Sequence, residues 1–118
     1  SEFQKEQIME IYEALKSFVS EMAIENEDEY YRIRAGIERK QLVLPETIFN
    51  AILQFMDNVV EEYVFEAEYP DFTENGVMNI KTDAAFNKLM SHFLERLQEL
   101  DEKIDQFAEQ ELRAYLLG

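Results

Sequence analysis

The chain has 118 residues, enough for one domain with a buried core. Hydrophobic residues make up 47%, with nine Phe and six Tyr, which excludes a disordered chain, and the lack of cysteine excludes disulfide scaffolds and thiolate metal sites. A formal net charge of −15 makes nucleic acid and anionic membranes poor partners, because both are bound through Lys and Arg, and favours a basic protein surface instead.

Only two prolines (Pro45, Pro70) and three glycines (Gly36, Gly76, Gly118) interrupt the apolar periodicity. So few breakers place the chain in the all-α class, as an antiparallel bundle of three to four helices over about 4–24, 27–41, 45–68 and 83–116. No apolar run approaches the ~20 residues that span a bilayer, so no membrane insertion is expected. The start Ser1-Glu2-Phe3 reads as a cloning remnant or as a domain cut from a longer chain, with the cytoplasm as the default location.

In the first helix Ile8, Ile11, Tyr12, Leu15, Phe18, Val19 and Met22 recur at three- and four-residue steps and form one stripe. The stripe loses register at residues 25–29. There Asn26 and Glu29 form a capping-box-like pair and predict a break before a second helix carrying Tyr30, Ile33 and Ile37. Pro45 suits the first position of the third helix. That helix has a broad apolar face from Ile48 to Val64, which predicts a central place among the others. In the last helix Phe86, Met90, Phe93, Leu97, Leu100, Ile104 and Phe107 step by four and three, a heptad-like seam. At roughly 50 Å it outruns the third helix, at roughly 35 Å, and its uncovered end is an opening for a homodimer.

Residues 71–76, Asp-Phe-Thr-Glu-Asn-Gly, begin as an EF-hand loop begins, with Asp71, Thr73 and Asn75 as calcium-ligand candidates ahead of Gly76. The twelfth position is Thr82 rather than the bidentate Glu, so the preferred reading is a turn in which Asn75-Gly76 supplies the positive φ. Glu10-x-x-Glu13 and Glu25-x-x-Asp28 match the spacing by which all-α nucleotide pyrophosphohydrolases hold Mg²⁺. That chemistry needs the two pairs on facing helices, whereas the continuous stripe places them along one. The single His92 excludes two-histidine metal sites within one chain. No cofactor is expected.

Between Lys40 and Lys81 lie eight acidic residues and no basic one, whereas residues 32–40 hold four of the eleven basic residues. One reading pairs the two segments as rim ion pairs. The other keeps the acidic, aromatic end of helix three free as a contact surface, with Glu61, Glu62, Glu66, Glu68, Tyr69 and Phe72 as partner-binding residues. The expected function is a non-enzymatic acidic interaction or regulatory module. Its alternatives are a neutraliser of a basic protein (an immunity protein, an antitoxin or a mimic of DNA charge) and, behind that, the Mg²⁺-dependent phosphohydrolase.

Overall fold

The computed structural model describes residues 2–24, 26–63, 73–74, 77–78 and 83–117. It is an all-α antiparallel bundle: α1 (Glu2–Ser20), α2 (Glu27–Glu38), a 3₁₀ turn (Gln41–Val43), α3 (Glu46–Tyr63) and α4 (Asp83–Phe107). A π-turn (Ala108–Leu112) joins α4 to a terminal segment, α5 (Arg113–Leu117). Between α3 and α4 a two-residue ladder pairs β1 (Thr73–Glu74) with β2 (Val77–Met78). No helix among the described residues is long and apolar enough to cross a membrane.

α1 ends at Ser20, short of the expected Ile24 and ahead of residues 25–29 where the stripe loses register. Met22, read as part of the stripe, is exposed in the turn that follows. Ala23 N–H donates to the Phe18 carbonyl at 2.9 Å and Met22 N–H to the Val19 carbonyl at 3.2 Å, the paired bonds of a Schellman turn. Met22 takes the left-handed position (φ 51°), which glycine usually fills. Ala23 is buried with Phe18 and supplies the apolar contact that closes such turns. α2 then starts on Asn26, whose side-chain oxygen accepts from the Glu29 N–H at 3.2 Å. Only half of the expected capping box forms, because the Glu29 carboxylate turns to Arg32 and the Asn26 N–H donates to the Ala23 carbonyl. Glu27, Asp28 and Glu29 all sit at the positive end of the α2 dipole.

Ile8, Ile11, Leu15 and Phe18 of α1 are fully buried, and the core adds Ile33, Ile37, Ile52, Met56, Leu100, Ile104 and Leu112. Paired contacts give the directions. Lys40 meets Gln7 at one end of the α1–α2 pair and Arg32 meets Glu21 at the other. Arg34 ties α2 to Asp57 of α3, Phe55 of α3 stacks on Phe107 at 4.6 Å, and Lys16 of α1 meets Asp101 and Asp105 of α4.

Three expectations need correction. α1 rather than α3 occupies the central place, packing along both α2 and the α4–α5 arm. The breadth of the α3 face comes from half-buried flank residues such as Leu53 and Phe55. At the start of α4 the seam passes through Leu89, which is fully buried, while Phe86 is exposed beyond the end of α1. At the other end Ala108 and Leu112 are buried and Phe107 moves to the flank. Three successive four-residue steps (100, 104, 108, 112) overshoot the 3.6-residue period by about 40° each. The wider π-turn takes up that excess and keeps the seam on one face. The third helix is described to Tyr63, so its expected stretch 64–68 lies outside the described residues.

Met22→Gly should stabilise the protein by about 0.5–1 kcal/mol, because a Cβ in the left-handed region costs roughly 1–2 kcal/mol and the freer unfolded glycine returns part of the gain. Urea unfolding at pH 7 checks this. A loss of stability would mean that the half-exposed Met22 side chain contributes more than its backbone costs.

Candidate functional site

Two surfaces carry concentrations of chemical groups. The first is the C-terminal end of α3. Tyr63 is buried, with 2% of its surface exposed. The Arg96 guanidinium lies over its ring, 4.4 Å from the centroid. Arg96 also donates to the Glu62 carbonyl at 3.3 Å and to the Glu99 carboxylate at 2.5 Å. A cation thus sits against the last described turn of α3. Glu61 and Glu62 are both exposed, and the Glu62 carboxylate stands 4.0 Å from Lys103. Of the expected contact residues these two are brought together; Glu66, Glu68, Tyr69 and Phe72 lie outside the described residues.

The second surface is a groove of about 460 Å³ between the start of α1 and the π-turn, lined by Met9, Tyr12, Asp105, Ala108, Arg113 and Leu117 among others. One wall is an ion network. The Tyr12 hydroxyl donates to Asp105 Oδ1 at 2.7 Å, and Lys16 Nζ lies 2.7 Å from Asp101 and 2.8 Å from Asp105. Burial opposes the Lys16 charge, yet the hydrogen bonds to Asp101 and Asp105 overcome it and raise the lysine above its ordinary value. Bonds from Lys16, then Tyr12, hold the Asp105 carboxyl below the usual carboxylate value. Acceptance by Asp105 in turn raises the Tyr12 phenol. Asp105 is a charged acceptor and Tyr12 a neutral donor at pH 7, each satisfied by the other. This network braces α1 against α4 and presents no free base to the groove.

Of the expected calcium ligands only Thr73 falls within the described residues. Thr73 lies in β1, opposite Met78, and Asp71 and Asn75 lie outside them. Glu74 opposite Val77 is the register of a hairpin with two intervening residues, for which Asn-Gly is a preferred sequence. The segment is therefore more than a polar link between helices. For the Mg²⁺ candidates, Glu10 and Glu13 sit on α1 and Asp28 on α2, not along one helix as the stripe suggested, and Glu25 lies outside the described residues. Because α1 and α2 run antiparallel, Glu10 is level with Lys40. Asp28, twelve residues before Lys40, stands about 18 Å further along the pair. Among the described residues no group of three or more His, Asp or Glu side chains could hold a metal ion. His92 is an exposed flank residue 3.9 Å from Glu95.

Sequence reasoning missed Arg96, Lys16 and Asp105. It noted the charge imbalance along the chain but not which charges α4 would bring to α1 and α3. The proposed pairing of residues 32–40 with the acidic segment 41–80 is seen at Arg34–Asp57, whereas Arg32 pairs with Glu21 and Glu29 and Lys40 with Glu10. No known protein family, curated protein or solved structure matches the chain.

Asp105→Asn should cost about 0.5–1 kcal/mol at pH 7, the scale of a partly exposed pair. The folded Asp105 pKa is depressed below 3.8, so its contribution is present above pH 3.8 and is lost as pH falls through the lower folded value. Urea unfolding of both proteins from pH 7 to pH 2 should show the difference shrinking below pH 3.8. A difference constant across that range would show that the carboxylate charge is not what matters.

Proposed function

We propose that the protein is an acidic helical interaction module that binds a basic protein surface without catalysing a reaction on it. The observation that carries this reading is the way the basic side chains are used. Lys16, Arg32, Arg34, Lys40, Arg96, Lys103 and Arg113 are each within ion-pair distance of carboxylates of the same chain. This positive charge is thereby paired within the chain, between helices at Lys16, Arg34, Lys40 and Lys103 and along one arm at Arg113. Exposed Glu2, Glu6, Glu13, Glu27, Asp28, Glu46, Glu61, Glu102 and Glu111 set the outward field. A surface of this kind attracts and orients a basic partner over a Debye length of about 8–10 Å at physiological salt.

Within that field the end of α3 is the preferred contact. Arg96 and Tyr63 give it a rigid base, and the exposed Glu61 and Glu62 precede the acidic, aromatic segment 64–72 in the sequence. Neutralisation of a basic toxin-like or nucleic-acid-binding protein is one biological form of the same physics. The groove beside Leu117, which is 72% exposed, supports a second reading, an adaptor that docks through apolar contacts.

Partner capture from the native source, followed by a salt titration of the purified complex, tests the choice. A basic partner should lose about tenfold or more in affinity between roughly 50 and 300 mM salt. Glu61→Lys with Glu62→Lys should weaken it further while leaving the helical circular dichroism unchanged. Salt-insensitive binding that is abolished by Leu117→Asp would overturn this reading and move the contact to the groove.

A further inference from the structure

We infer that the N-terminal half of α4 is a self-association surface, and that its occupant is the same half of α4 in a second copy of the chain. α1 stops at Ser20, and its Schellman turn brings Val19 and Ile24 against a separate small cluster of Leu89, Phe93 and Leu97 on α4. On the face of α4 beside that cluster the apolar side chains are covered less. Phe86 is 45% exposed, Leu94 is 55% exposed, and the half-buried Met90 stands between them. At four-residue steps these three form one stripe about 12 Å long on the helix.

Charge identifies the occupant. Residues 84–94 form an eleven-residue run without Asp or Glu, the longest such run in a chain with 26 acidic residues. A basic partner gains no attraction there. A second copy, with its own charge of −15, meets the least repulsion there. The acid-free run 47–56 is nearly as long, but its Ile48, Phe49, Ile52 and Met56 are consumed by the core.

Spacing supplies the geometry. Phe86 and Leu94 lie four residues on either side of Met90, so the stripe is its own complement about a two-fold axis through Met90. Two such helices laid antiparallel place Phe86 on the partner subunit's Leu94, and each Met90 on its counterpart, as an isologous contact requires. Three side chains a side fall well short of the ~800 Å² per partner found in stable complexes. The dimer is therefore weak and reversible, with a dissociation constant on the order of 10–100 µM.

Sedimentation equilibrium of the full chain from about 5 µM to about 500 µM tests this, at low and high salt. The mass should rise from 14.0 kDa toward twice that value as concentration increases. The rise should be stronger at high salt, which screens the repulsion between copies. Leu94→Glu, at an exposed position, should weaken association about tenfold with helical circular dichroism unchanged. Because the chain lacks cysteine, Met90→Cys should form a disulfide dimer under mild oxidation much faster than Glu111→Cys on the exposed far end. A monomer at 500 µM (about five to fifty times the expected constant), a dimer indifferent to Leu94→Glu, a dimer dissociated by salt, or equal cross-linking of the two cysteine variants would each overturn the proposal.

Discussion

The length of α4 and its continuation constrains everything packed against it. A helical arm that runs from Asp83 to Leu117 is about 50 Å long at 1.5 Å per residue, and the molecule's longest dimension is 54 Å. No other helix has that reach among the described residues. α1 covers its C-terminal and middle turns, α3 covers the middle from the other side, and the main core ends where α1 does. The π-turn follows from the same constraint. The arm has to keep Leu100, Ile104, Ala108 and Leu112 facing α1 and α3 over steps that an ideal α-helix would carry round its surface.

Electrostatics follows from that packing. Nothing charged is buried among the described residues, so the ion pairs lie on the rims of the apolar contacts and adjust register at modest energy. Lys16 stands where α1 crosses the acidic turns of α4 and reaches two carboxylates, as Arg32 and Arg34 also do around α2. Arg96 does the equivalent for α3, with its guanidinium on the Tyr63 ring and a donor on the Glu62 carbonyl. As these cations are drawn inward, the outer surface becomes more uniformly acidic than the composition requires. The apolar, acid-free stretch of α4 is the exception to it.

Much of the local structure was legible in residue order. The breaks near residues 25 and 45, the start of α2 on Asn26 and the start of α4 at Asp83 follow from caps and periodicity, which act within one turn of the chain. The seam was legible in its middle, at Phe93, Leu97, Leu100 and Ile104, and misread at both ends. Phe86 and Phe107 have the right residue type and spacing, but whether such a residue is buried depends on whether a neighbour reaches it. The candidate site was legible in composition and not in geometry: Glu61 and Glu62 were identified as exposed acids, while Arg96 and Lys103 beside them come from a helix more than thirty residues away.

Helix class, break points, the sign of the surface field and the exclusion of two-histidine metal chemistry are determined by the sequence alone. Each rests on residue type, or on relations within four or five positions of the chain. Tertiary structure decided that α1 occupies the central place, that Glu10 and Asp28 stand far apart, and that Lys16 is shared by Asp101 and Asp105. It also decided that the apolar stripe Phe86–Met90–Leu94 at the start of α4 is left partly exposed. These outcomes depend on how helices of unequal length align side by side. That alignment is set by the sum of many apolar contacts across the bundle, and no single stretch of sequence contains it.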